Sequence, residues 1–171
     1  MKKTILTYGA YGFFTALILF FLALYFGQGL SFRTQEVIGF ASMFTSLSFV
    51  YFGIRHYKNH ELNGEISFKT AFIVGALISL CAAVGFGIMD TIYITKINPD
   101  FTEQYLAYEN GLLDARTDLT LEEIKLEKLA LLKQSEAYGS PFIVFFVMTM
   151  MVFVIGVIIS LLSALVLHKK N

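Results

Sequence analysis

Thr70-Ala71-Phe72-Ile73-Val74-Gly75-Ala76-Leu77-Ile78-Ser79-Leu80-Cys81-Ala82-Ala83-Val84-Gly85-Phe86-Gly87-Ile88-Met89 contains no charged residue. A helix rises about 1.5 Å per residue, so this run covers about 30 Å, the thickness of a bilayer's hydrocarbon core. Three more charge-free windows run from Thr4 to Phe32, from Val37 to Ile54 and from Ala137 to Leu167. Core helices of soluble proteins are rarely so long and so uncharged. The pattern predicts an all-α membrane protein with four transmembrane helices, at about 4–26, 35–54, 68–95 and 141–167, forming a single membrane domain over 1–171. An external segment, 96–139, separates spans three and four and carries a short amphipathic helical segment.

Composition agrees. Hydrophobic residues make up 56% of the chain, charged residues 15%, and the mean hydropathy is +0.66, too apolar for a soluble domain of this size to bury in one core. The formal net charge is zero, so the basic field that attracts nucleic acid is missing, and no nucleic-acid partner is expected. Cys81 is the single cysteine and sits mid-span, which excludes an internal disulfide. Lys2 and Lys3 precede the first apolar stretch as they would in a secretory signal. That stretch is longer than a signal's apolar region and has no A-x-A site, and so reads as an uncleaved span.

Basic residues set the expected orientation. Met1 to Lys3, Arg55 to Lys69 and His168 to Asn171 hold seven Lys or Arg in 22 residues, whereas Gly27 to Thr34 and Lys96 to Gly139 hold six in 52. The denser set belongs in the cytoplasm, which places both termini there. Tyr8, Tyr25, Tyr51, Tyr93 and Tyr138 fall near the expected interfaces, where a ring with one polar end is well placed.

Local signals mark the elements. Thr34 is expected to cap span two, with Glu36 in its first turn; Asn63-Gly64 turns the inner link; Asn98-Pro99-Asp100 opens the external segment; and Ser140-Pro141 opens span four. In the external segment, Phe101 and Tyr105 stand one turn apart, and Thr120-Leu121-Glu122-Glu123 reads as a capping box opening a helix to about Ala137. Leu121, Ile124, Leu131 and Leu132 share an arc of about 100° on that helix, with Glu123, Glu127 and Gln134 opposite, so the apolar side is expected on the bundle or on lipid. No internal repeat and no low-complexity tract stands out.

The runs Ile38-Gly39-Phe40-Ala41-Ser42-Met43, Ser48-Phe49-Val50-Tyr51-Phe52-Gly53-Ile54-Arg55-His56-Tyr57-Lys58-Asn59 and Asn63-Gly64-Glu65-Ile66-Ser67-Phe68-Lys69-Thr70-Ala71-Phe72 resemble a bacterial family, the domain-of-unknown-function family numbered 4199. The likeness is sharpest over spans two and three with their link. The four-span layout with a long outer segment before the last span extends it over nearly the whole chain. The resemblance implies a bacterial inner-membrane location and carries no assigned activity and no functional residues.

Three constellations are candidates for more than packing. Span three has small residues at four-residue spacing, Ala71, Gly75, Ser79, Ala83 and Gly87, continued by Thr91 and Thr95; span four has Gly156, Ser160 and Ala164, and span one has Gly12 and Ala16. Small side chains at this spacing let helix backbones approach closely in lipid, so tight packing within the chain is the leading reading, ahead of a homodimer seam or a solute path. Asp90 and Glu36 are the only acids beside the apolar spans. Twenty residues separate Lys69 from Asp90, so Asp90 is expected at the outer interface, open to water and near Arg33 or Lys96, rather than as an ion or proton site. His56 and His60, with Glu61, have the i, i+4 spacing of two metal ligands, but no third ligand is close in sequence, and the stretch reads as a solvated membrane edge. No G-x-S-x-G, H-E-x-x-H, G-x-x-x-x-G-K or G-x-G-x-x-G is present.

These features imply a non-enzymatic membrane protein without a cofactor, an accessory or scaffold subunit in contact with the lipid bilayer and with itself or another membrane protein. The alternative is a small transporter or channel subunit using Asp90 and Glu36 near the outer face.

Overall fold

Two of the long helices begin where a side chain satisfies an amide group that has no partner in the first turn. In the computed structural model, which describes residues 1–137 and 139–169, the four spans are α1 (Lys2–Phe26), α2 (Phe32–His56), α3 (Phe68–Ile92) and, after two shorter helices, α6 (Pro141–Leu167). Between α3 and α6 stand α4 (Phe101–Asp114) and α5 (Leu121–Ala137). Ser31 Oγ accepts the Thr34 N–H at 3.3 Å, Ser67 Oγ accepts the Thr70 N–H at 3.2 Å, and Ser140 precedes Pro141 at the start of α6. The capping box of α5 is formed in both directions: the Thr120 N–H donates to Glu123 Oε2 at 2.8 Å, and the Glu123 N–H donates to Thr120 Oγ1 at 3.3 Å. Asn63 and Gly64 make the turn before α3 at positive φ, 53° and 92°.

All four spans are long and apolar enough to cross a membrane, and the chain is a multi-pass membrane protein. Helix α3 is central, packing against α6, α1 and α2. Leu47, Val50 and Ile54 from α2, Val74, Ile78 and Phe86 from α3 and Val152 from α6 are at most 1% exposed and form the core. Phe14, Ile18, Phe44, Phe146, Val154 and Val166 point outward from the spans, where lipid rather than water meets them. One end of the bundle holds the two termini and the link between α2 and α3; the other holds the α4–α5 hairpin.

Comparing α2 with α3 overturns the expectation of no internal repeat. Ser31-Phe32-Arg33-Thr34-Gln35-Glu36-Val37-Ile38-Gly39 lines up, 36 residues later, with Ser67-Phe68-Lys69-Thr70-Ala71-Phe72-Ile73-Val74-Gly75, identical at the Ser, Phe, Thr and Gly positions and similar in type at three more. Each copy opens a 25-residue α-helix, and each helix continues into a five-residue π-helical segment whose first residue is a buried tyrosine, Tyr57–Glu61 after α2 and Tyr93–Ile97 after α3. The two copies start at opposite ends of the bundle, so the repeat is inverted. Only its first nine residues and the closing tyrosine keep a shared pattern, which is why a repeat spanning whole helices was not legible.

Four further expectations are corrected. Span two is capped by Ser31, not Thr34, because Ser31 Oγ takes the Thr34 N–H and draws three more residues into the helix; Glu36 therefore lies beyond the first turn. Helix α4 starts at Phe101 with Asp100 at its cap, because Asn98 ends the π-helical segment and turns its amide to Tyr93 and Gln104. Tyr93 is 1% exposed beneath Phe101 rather than in a lipid-facing belt. Tyr138 lies outside the described residues. Finally, α5 packs on α4, with Lys128 Nζ reaching Asp114 at 2.6 Å. That pairing turns Ile124 and Leu131 inward and leaves Leu121 and Leu132, expected on the same buried arc, exposed.

Candidate functional site

The seam between α3 and α6 is built from residues too small to hold the backbones apart. Ala71, Ser79, Ala83, Ser160 and Ala164 are fully buried. A Cβ placed on Gly75 would stand 2.9 Å from Ser160 Oγ and 2.9 Å from Ile54 Cδ1; one on Gly156 would meet Ser79; and one on Gly87 would meet Thr149 Oγ1, with the Phe145 carbonyl oxygen at 2.9 Å. The Gly75–Ser160, Ser79–Gly156 and Gly87–Thr149 pairs run in opposite chain directions, as an antiparallel helix pair requires. Helix α1 meets the same central helix in parallel, Gly9 beside Cys81 and Gly12 beside Ala82. Where hydrocarbon surrounds the helices, such close van der Waals contact takes over the role that water exclusion has in a soluble core.

Serines in the seam do not need partners across it. Ser79 donates to the Ala76 carbonyl at 2.9 Å and Ser160 to the Gly156 carbonyl at 2.7 Å, so each hydroxyl is satisfied within its own helix.

Among the described residues no hydrogen bond joins the two acids. Asp90 is half-buried on α3, one turn beyond Gly87, and among the described residues it forms no hydrogen bond or ion pair; neither Arg33 nor Lys96 pairs with it. Its helix continues beyond it to Ile97, so it does not sit at the helix end. Glu36 is exposed on α2 and acts electrostatically on Tyr105 of α4. Asp90 and Glu36 line neither of two cavities at the hairpin end. The first, about 410 Å³, is an apolar groove between α1 and α2 bounded by Leu19, Phe26 and Ile38. The second, about 260 Å³, is polar and lies under the start of α4, with Gln28, Gln35, Asn98 and Gln104 around Phe32, Tyr93 and Phe101.

Aromatic rings fasten the hairpin to the bundle. Phe32, the first residue of α2, lies 5.9 Å from Phe101, 5.6 Å from Tyr105 and 5.0 Å from Tyr108, ring centre to ring centre. Burial first, then a hydrogen bond to Glu109 and the charges of Glu109 and Glu36, push the Tyr105 phenol up to about 12. The spacing of Phe101 and Tyr105 pointed to a helix but not to this clasp, because the contact with Phe32 joins segments far apart in sequence.

At the termini end, His56 and His60 stack with ring centres 4.3 Å apart, and Glu61 turns away from them to the Met1 amine and the Thr4 hydroxyl. No cluster of three metal-binding side chains occurs among the described residues.

The family model described as "Protein of unknown function (DUF4199)" matches residues 7–169, nearly all of the four-span bundle. The chain belongs to the DUF4199 family. No curated protein and no solved structure matches this DUF4199 chain. The match covers the seam, the hairpin and the inverted repeat alike.

Proposed function

We propose that this DUF4199 protein is a non-enzymatic accessory or scaffold subunit of the bacterial inner membrane, with both termini in the cytoplasm, whose outer hairpin engages a second copy or another membrane protein. The supporting observation is on α5. Leu121, Leu126, Leu129 and Leu132 are 80%, 66%, 49% and 45% exposed, although α5 lies outside the four spans. In a span, an exposed leucine faces lipid at no cost. On an external helix the same side chains leave apolar area in water, and contiguous area of that kind marks a contact surface. The transporter reading has less support, since Asp90 and Glu36 line neither of the two cavities at the hairpin end.

Two measurements test the proposal. Cysteine labelling of intact cells should modify a probe at Asp118 and miss one at Asn59; labelling at Asn59 would reverse the orientation. A probe at Asn171, the other inner position, falls outside the described residues. A photo-activated cross-linker at Leu129 should then give a discrete protein adduct in cells, while one at lipid-facing Phe146 gives none. Equal yields at the two positions would remove the basis for a docking role.

A further inference from the structure

Two polar groups at the hairpin end of the α3–α6 seam stand without partners. Asp90 is one. On an ideal helix it falls about 60° to the side of Gly87, the seam glycine one turn before it, and so at the edge of the face that packs against α6. Thr149 is the other: the residue is 6% exposed, and its buried Oγ1 has no hydrogen-bond partner among the described residues. The contrast with its neighbours is specific. Thr91 donates to the Gly87 carbonyl at 2.8 Å, Thr95 to the Thr91 carbonyl at 2.6 Å, and Ser79 and Ser160 likewise turn back on their own helices.

Thr149 Oγ1 fills the hollow that a side chain on Gly87 would occupy, and the Phe145 carbonyl oxygen lines the same hollow. Asp90 follows Gly87 by three residues, a spacing that sets Cβ positions about 5–6 Å apart, and helical side chains lean toward the N-terminal turn. That lean carries the Asp90 side chain back toward the level of Gly87, where Thr149 Oγ1 fills the hollow, and no hydrogen bond joins the two among the described residues. Oxygen ligands stand about 2.3–2.6 Å from a hard cation, so one ion spans such a gap between two oxygens.

Charge decides which ion. Among the spans there is no Asp, Glu, Lys, Arg or His from Thr4 to Phe26, from Val37 to Ile54, from Thr70 to Met89 or from Pro141 to Leu167. The nearest charges along the flanking helices are Arg33 and Glu36 on α2 and Lys96 beyond α3. One carboxylate is neutralised by one monovalent ion, whereas a divalent ion would leave a net charge in a low-dielectric seam. We propose that Asp90, the Thr149 hydroxyl and the Phe145 carbonyl oxygen bind a monovalent alkali cation at the hairpin end of the seam. This site pins α3 to α6 and is independent of the contact surface on α5.

The test is thermal melting of the full chain in detergent, starting from choline chloride and adding sodium or potassium chloride at constant ionic strength. Melting temperature should climb with the logarithm of alkali cation concentration, and the concentration needed should rise as pH falls, because protons compete for the carboxylate. Asp90→Asn should abolish the response and Thr149→Val should weaken it; Thr149→Val decides the matter if Asp90→Asn does not fold. Melting that is indifferent to alkali cations, or that follows pH alone, overturns the proposal. So does a response that Thr149→Val leaves at full strength.

Discussion

Helices α2 and α3 begin alike and end alike, yet one lies at the side of the bundle and the other at its centre. Both open with Ser-Phe, a basic residue and Thr, both run 25 residues, and both finish in a π-helical segment headed by a buried tyrosine. Between those ends α2 presents Val37, Phe40, Phe44 and Phe52 to its surroundings, while α3 keeps Ala71, Gly75, Ser79 and Ala83 against its neighbours. Cap chemistry sets where a helix starts. Residue size decides where it sits.

The largest expected effect separates the two glycines that occupy the same place in the repeat. A Cβ on Gly75 meets Ile54 and Ser160 at 2.9 Å, whereas a Cβ on Gly39 meets only Phe20, at 3.9 Å. Gly75→Ala should lower the melting temperature in detergent and Gly75→Leu should lower it much further, with overpacking costing about 1–3 kcal/mol or more. Gly39→Ala should be neutral or slightly stabilising, because it fills open space and removes the conformational freedom of glycine. Leu77, 41% exposed, gives a control in which Leu77→Ala costs little. Equal losses at Gly39 and Gly75 would show that α3 owes its place to something other than its small residues.

A smaller effect should be the same in both helices. Ser31→Ala and Ser67→Ala each remove one capping bond of similar length and should each cost about 1 kcal/mol. A several-fold difference between the two, measured by the same melting experiment, would show that the shared opening is a coincidence of sequence rather than of energetics.

The smallest effect concerns what the opening phenylalanine touches. Phe68 stacks on Phe72 and meets His168, but Phe32 is clasped by α4 beside Tyr105. The Tyr105 phenol is raised from 10.0 to about 12, so the folded state holds its proton more tightly than the unfolded chain. Its contribution to stability is complete below pH 10 and is lost as pH rises through about 12. Difference absorbance between the parent and Tyr105→Phe should place this titration well above the ordinary tyrosine range. Phe32→Ala should bring it back down by admitting water, while Phe68→Ala should leave it unmoved.

Much of the fold was legible because a bilayer leaves few solutions. Charge-free windows of sufficient length located all four spans, and Thr120 with Glu123 and Ser140 with Pro141 marked two helix starts by local chemistry alone. Errors arose where two residues compete for one role. Ser31 and Thr34 are both good caps, and only the direction of one hydrogen bond decides between them. On α5, apolar residues occupy more than one side of the helix, so periodicity could not say which leucines α4 would cover. Thr149 was missed for a similar reason. It stands seven residues before Gly156, in line with Ser160 and Ala164, but a single hydroxyl in an apolar run carries no signal until the opposing glycine is known.

The two ends of the bundle differ mechanically. At the termini end, Thr4 is tied to Glu61, the backbone of Ile66 pairs with that of Lys169, and Phe68 meets His168, so the four helix ends are stapled in two pairs, α1 to the end of α2 and α3 to α6. The hairpin end has the long connection that carries α4 and α5, a polar hollow and a half-buried carboxylate. Four rods bound together at one end have a fulcrum there, and a small tilt becomes a larger displacement with distance from it. A tilt about the staples moves the hairpin most, so whatever grips α5 acts with the longer arm of the lever.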